Sequence, residues 1–390
     1  MGVLRKSILF VALIGVVFAP VTIPKEALAV GDQIVNPVYA SGLYYSGQGA
    51  TSTLQIKNTG TARATFWVRY AVQDKVGNTY NVPATSVTLD PGKTSGVISK
   101  TWTVPDPADP STLTTGFYKA SFAVYDANPD TDAGAVRLDY DEKADAFRAH
   151  NFIDQFNTFN TNRWTDVWNP QYMGFLGYDA VGNPLYTTYL DPANVGLSGT
   201  GQMRFKLPAA PSSDPQAKLE GGQLRSKSLL YGYGTYEARM NLPNVPSSVT
   251  GFFLYYGRDY EDEIDIEIFN NAEGTTGPEA DKNRKIWFTT YAPHYDAYGN
   301  LVENWTYHAE RTLPFDPTAA YHTYRFDYYP GKVSFYVDDT LFQEFPAADL
   351  PTEPLPTRPM QIIVNTWYPG WMSQTPPPSN RYLGVQWIRH

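Results

Sequence analysis

Carboxylates occupy alternate positions in the run Tyr260-Glu-Asp-Glu-Ile-Asp-Ile-Glu-Ile-Phe269. Glu261, Glu263, Asp265 and Glu267 fall on one side of a two-residue period, and Ile264, Ile266 and Ile268 fall on the other. That period predicts a half-buried β-strand, with the isoleucines on a core and the carboxylates facing away from it. Neighbours on one strand face stand only ~7 Å apart, so a row of like charges repels and destabilises unless it is used. Two carboxylates either side of a bond can divide such work, one ionised as nucleophile and one protonated as acid. An exposed acidic strand, or a Ca²⁺ site built from the same oxygens, is the less favoured alternative.

The rest of the chain must hold that strand. At 390 residues there is room for two domains or one large one. Aromatic residues make up 15%, including 29 Tyr and 9 Trp, which suits both strand formation and stacking on sugar rings. With 30 Gly and 31 Pro spread along the chain and few amphipathic helical patterns, the expectation is an all-β protein. A formal charge of −9 argues against nucleic acid or an anionic membrane as partner, and is indifferent to a neutral polysaccharide. The absence of Cys excludes a disulfide framework and a thiol nucleophile. The five histidines include no pair with helical metal-ligand spacing, and no Gly-x-Ser-x-Gly elbow is present.

Residues 1–29 read as a signal peptide: Arg5 and Lys6, the apolar run 8–19, then Ala27-Leu28-Ala29 as a small-x-small cleavage site. Secretion is expected, with no membrane contact by the mature chain; retention at the cell surface is the alternative. Residues 30–148 read as an accessory β-sandwich of immunoglobulin or fibronectin type. Strand runs lie near 53–57, 65–72, 86–89 and 118–125, with Trp67, Trp102 and Phe122 as core candidates. A spacer role is favoured over carbohydrate binding. The polar, Asp-rich residues 128–143 read as the inter-domain linker. Residues 321–339 read as a hairpin about Pro330-Gly331.

Within residues 149–390, several motifs resemble the family 16 glycoside hydrolases, retaining enzymes with a concanavalin A-like β-jelly-roll. They are the Glu263-x-Asp265-x-Glu267 signature, Asn162-Arg-Trp164, Tyr231-Gly-Tyr-Gly-Thr-Tyr-Glu-Ala-Arg-Met240 and Asn365-x-Trp367. The five-residue acidic spacing is similar to lichenase-type and xyloglucan-type members; most laminarinases of the family carry one more residue before the last Glu.

The resemblance implies Glu263 as nucleophile, Glu267 as acid/base and Asp265 as their assistant. It implies Arg225, Gln223, Phe253, Tyr255, Tyr291, Asn365 and Trp367 as substrate contacts. Gln223, Glu261 and Thr289 depart from the lichenase pattern of Glu, Trp and Asn. The implied activity is endo-hydrolysis of a β-glucan, foremost of β-1,3-1,4 type, by a monomer. A β-1,3-glucanase, a xyloglucan hydrolase or transglycosylase, and a non-catalytic glucan-binding protein are the alternatives. The chemistry requires no cofactor; family members often hold a structural Ca²⁺, for which the sequence singles out no ligands.

Overall fold

A computed structural model describes residues 31–165, 172–227, 230–257, 262–270, 284–295, 298, 301–346, 355–372 and 375–390. The expected leader, residues 1–29, and Glu261 lie outside the described residues. Apart from two three-residue 3₁₀ turns, the regular structure of the described residues is strand throughout, so the protein is all-β.

Four sheets form two pairs. Up to His150 the strands make one three-stranded and one five-stranded sheet around their own core. In the strand Ala64–Gln73, Phe66, Val68, Tyr70 and Val72 alternate into that core. The period of two therefore puts Trp67 on the opposite face, beside Tyr125, whereas Trp102 and Phe122 are buried as expected. The expected linker is corrected in the same way. Residues 137–143 belong to the strand Arg137–His150, which pairs with Gly116–Tyr125.

Only two residues separate that strand from Ile153–Asp154, which pairs with the last strand, Arg381–Arg389. The junction is held tightly. A Cβ at Gly232 would stand 2.5 Å from the Ser111 carbonyl oxygen, so glycine is needed where backbone meets backbone. Thr235 N–H donates to Thr115 Oγ1 at 3.0 Å, and Tyr329 OH donates to the Thr115 carbonyl at 3.0 Å. Glu237, 1% exposed, lies between Arg148 (3.4 Å), Arg325 (3.9 Å) and Arg389, which donates to it. Asp339 and Asp327 also pair with Arg325, and Asp339 with Arg148, but Glu237 is the buried anion that all three guanidinium groups share, and removing its charge leaves Arg389 without its carboxylate. Glu237→Gln is expected to destabilise the chain by about 3 kcal/mol or more, read from denaturant unfolding.

Beyond residue 150, a nine-stranded and an eight-stranded sheet face each other. One apolar cluster fills the space between them: Phe252, Leu254, Ile264 and Ile266 from one side meet Tyr236, Phe326, Phe335 and Val385 from the other. Ring pairs such as Phe252 with Phe326 at 5.1 Å tie the two sheets together. Ile264, Ile266 and Ile268 are fully buried, each worth roughly 1.5–3 kcal/mol of transfer free energy. The expected hairpin is present in the eight-stranded sheet, His322–Tyr329 pairing with Lys332–Val337 across Gly331 at φ +76°.

Candidate active site

The isoleucine face of Asp262–Phe269 is sealed into the core, so Glu263, Asp265 and Glu267 emerge on the other face of the nine-stranded sheet. Register extends that face to the neighbouring strands. Across Val249–Tyr256, Gly251 stands opposite Glu267, Phe253 opposite Asp265 and Tyr255 opposite Glu263. On the other side, in Lys285–Tyr295, Trp287, Thr289 and Tyr291 stand opposite the same three acids. One strand further, Gly251 faces Asn365, and Asn365 in turn faces Gln223.

A cleft of about 300 Å³ opens over this face. Seven of the ten expected residues line it: Glu263, Asp265, Glu267, Phe253, Tyr291, Asn365 and Trp367. Gln223, Arg225 and Tyr255 share the sheet face by register but lie outside the lining. Gln223 still touches it, because Asn365 Nδ2 donates to Gln223 Oε1 at 3.3 Å. Gln223 Nε2 and Asn365 Oδ1 have no partner among the described residues, a cost of about 1–3 kcal/mol each that a bound hydroxyl would offset.

The acids are not equivalent. Glu267 is flanked by a bare glycine on one strand and an indole on the other, so its charge is poorly solvated. Burial pushes its carboxyl up to about 7. Thr289, which stands beside Asp265, exchanges a hydrogen bond with His308 Nδ1 at 3.1 Å. A carboxyl that keeps its proton near neutrality, on the same strand face as a second Glu, has the composition of an acid–nucleophile pair.

Gly251 contributes by having no side chain. A Cβ there would stand 2.7 Å from Asn365 Oδ1 and 3.3 Å from the Phe253 ring. Gly251→Ala is expected to displace the Asn365 amide and raise KM for polysaccharide several-fold while the melting temperature changes little. Parallel kinetics and thermal unfolding check this.

Three lining residues carried no sequence signal that drew notice: Met173, Gly251 and Trp371. Trp371 is 58% exposed, packs edge-on to Trp367 at 5.8 Å and lies nearly parallel to Trp287 at 6.1 Å. Trp287 is steadied by donating from Nε1 to Glu310 at 2.8 Å. A large exposed Trp directly after Pro369-Gly370 was the legible hint. Among the described residues, no group of three or more His, Cys, Asp or Glu side chains converges to hold a metal ion, so no Ca²⁺ ligands are assigned.

A family model described as Glycosyl hydrolases family 16 matches residues 189–388, half of the chain, and includes every lining residue of the cleft except Met173. The chain belongs to glycosyl hydrolase family 16. It is therefore a glycoside hydrolase, and its paired sheets are the jelly-roll of that family. This family 16 chain is 30% identical over 254 residues to a β-glucanase of Bacillus subtilis (strain 168), covering 63% of the chain and 88% of that relative. It is also 30% identical over 227 residues to a β-glucanase of Bacillus licheniformis, covering 57% and 77%. The solved structure of a Bacillus licheniformis β-glucanase is 27% identical, covers 61% of the chain and 96% of that structure, and aligns with a TM-score of 0.44.

Proposed function

We propose that the chain is a secreted, retaining endo-β-glucanase that cleaves internal linkages of mixed β-1,3-1,4-glucan. The observation that carries this reading is one strand face presenting Glu263, Asp265 and Glu267 to a single cleft, with Glu267 protonated near neutrality. In the first step a Glu263 oxygen attacks the anomeric carbon as the glycosidic C–O bond breaks, and Glu267 gives its proton to the leaving oxygen. In the second, Glu267 takes a proton from water, whose oxygen displaces Glu263. Asp265 stands between the two along the strand as their assistant, while burial keeps the proton on Glu267.

Phe253, Tyr255, Tyr291, Trp367 and Trp371 offer ring faces to the apolar faces of glucose units. Arg225, Gln223 and Asn365 offer polar edges to hydroxyls. Residues 149–390 act as the catalytic domain and 30–148 as an accessory module; the charged start and apolar run of residues 1–29 support export, and a monomer suffices for the chemistry. The β-glucanase names of the relatives support the substrate class, and the five-residue acidic spacing supports the mixed linkage.

Reducing-sugar release from barley β-glucan, laminarin and xyloglucan tests the reading. Cleavage of mixed-linkage glucan that vanishes in Glu263→Gln is the expected result. Activity on laminarin alone moves the assignment to a β-1,3-glucanase, and binding without cleavage of any of them overturns catalysis.

A further inference from the structure

The five-stranded sheet near the N-terminus has its inner face on the module core, which leaves its outer face to solvent. Register shows how that face is shaped. One row across three strands reads Tyr140, Ala123, Arg69, and the next reads Glu142, Ser121, Ala71, Asn81. The middle positions are short, and the ends are long or planar. The result is a trough of about 230 Å³ with a floor of Ala71, Ser121 and Ala123, walled by Tyr140 on one side and Asn81 on the other.

Two of the trough's three cations are answered by carboxylates, and the third is held over an aromatic ring. Arg69 pairs with Asp130 at 2.6 Å, Lys119 with Glu142 at 3.2 Å, and the Arg137 guanidinium lies over the Tyr140 ring at 4.7 Å. Cations held this way keep N–H donors in fixed directions but offer little net field to a phosphate or sulfate. The walls combine a 39% exposed tyrosine ring with a side-chain amide, while a floor of two alanines and a serine offers no large pocket to anchor an apolar protein segment. Planar donors and acceptors beside a ring, with most of the local charge paired, complement a polyol.

We infer that this trough is a second carbohydrate site, separate from the catalytic cleft, that takes a stretch of neutral β-glucan chain. The choice of glucan rests on the reading of the cleft under Proposed function. Tethering the polymer at a second site on the same chain raises its effective concentration at the cleft without any new catalytic contact.

The test titrates a mixed-linkage β-glucan hexasaccharide into the full chain carrying Glu263→Gln, so that ligand persists. Two binding events per chain are expected, falling to one when Tyr140→Ala and Asn81→Ala are added, with the melting transition retained. Asn81→Lys alone, at an exposed position, serves as a second variant if the double change perturbs folding. A stoichiometry that neither trough variant alters overturns the inference, as does trough-dependent binding to polygalacturonate but to no neutral glucan. The two readings fail differently. Unaltered stoichiometry in a chain whose parent cleaves β-glucan removes the trough alone. Trough-dependent glucan binding in a chain whose parent cleaves no glucan supports the trough and removes the proposed catalysis.

Discussion

Glu263→Ala is expected to lower hydrolysis of β-glucan by roughly four orders of magnitude or more, because no other group replaces a lost covalent nucleophile. The loss is expected in kcat, since Asn365, Trp367 and the aromatic lining that hold the polymer remain in place. The variant also offers a positive readout. The space vacated beside the anomeric carbon admits a small anion such as azide, which attacks the face that Glu263 attacked while Glu267 still protonates the leaving oxygen. With an activated β-glycoside, azide should restore turnover and give the α-glycosyl azide. Analysis of the product by NMR checks the anomer; a β-azide, or turnover without azide, would assign the nucleophile elsewhere.

Glu267 produces the second large effect, and its pH dependence has a definite sign. The carboxyl must carry its proton to act as acid, and burial holds its value at about 7. Activity in kcat/KM should therefore be flat below pH 7 on this limb and fall tenfold per pH unit above it. Glu267→Gln should remove that limb along with about 10²–10⁴ of rate on polysaccharide, and much less on an aryl glycoside whose leaving group needs no proton. The same raised value enters stability. Between the unfolded value near 4.5 and the folded value near 7, the folded state binds more protons than the unfolded state. Stability should thus fall as pH rises through that window, by up to ~1.4 kcal/mol per unit, and level off above it. Glu267→Gln should flatten this slope and be the more stable protein at pH 8. A slope unchanged in the variant would mean that another group sets it.

The acidic strand was legible because its alternation is local: three isoleucines and three acids fix which face is buried whatever the partners are. Phe253 and Tyr255 came from the family resemblance alone, and the structure puts them on the acids' face because Phe252 and Leu254 are core. What escaped depends on pairing between strands distant in sequence. Gly251 matters only because register sets it between Glu267 and Asn365, and Met173 reaches the cleft from an edge strand with no motif of its own. The linker was misread because Asp-rich, turn-rich composition describes residues 126–136 well but says nothing about strand Arg137–His150, whose outer face is polar because it faces solvent. Trp67 was assigned to the core by size, whereas its strand's parity sends it outward.

The close seat of Gly232 against Ser111 has a bearing on how such a protein can be rebuilt. A chain assembled like beads on a string tolerates exchange of one bead for another at the thread between them. Here there is no thread to cut. A catalytic half severed near residue 150 would bare the Glu237 carboxylate and the buried His390, and a foreign module spliced on would meet a surface contoured to one neighbour's backbone. Domain shuffling of this hydrolase, in the laboratory or by recombination, has to carry both faces of the seam together.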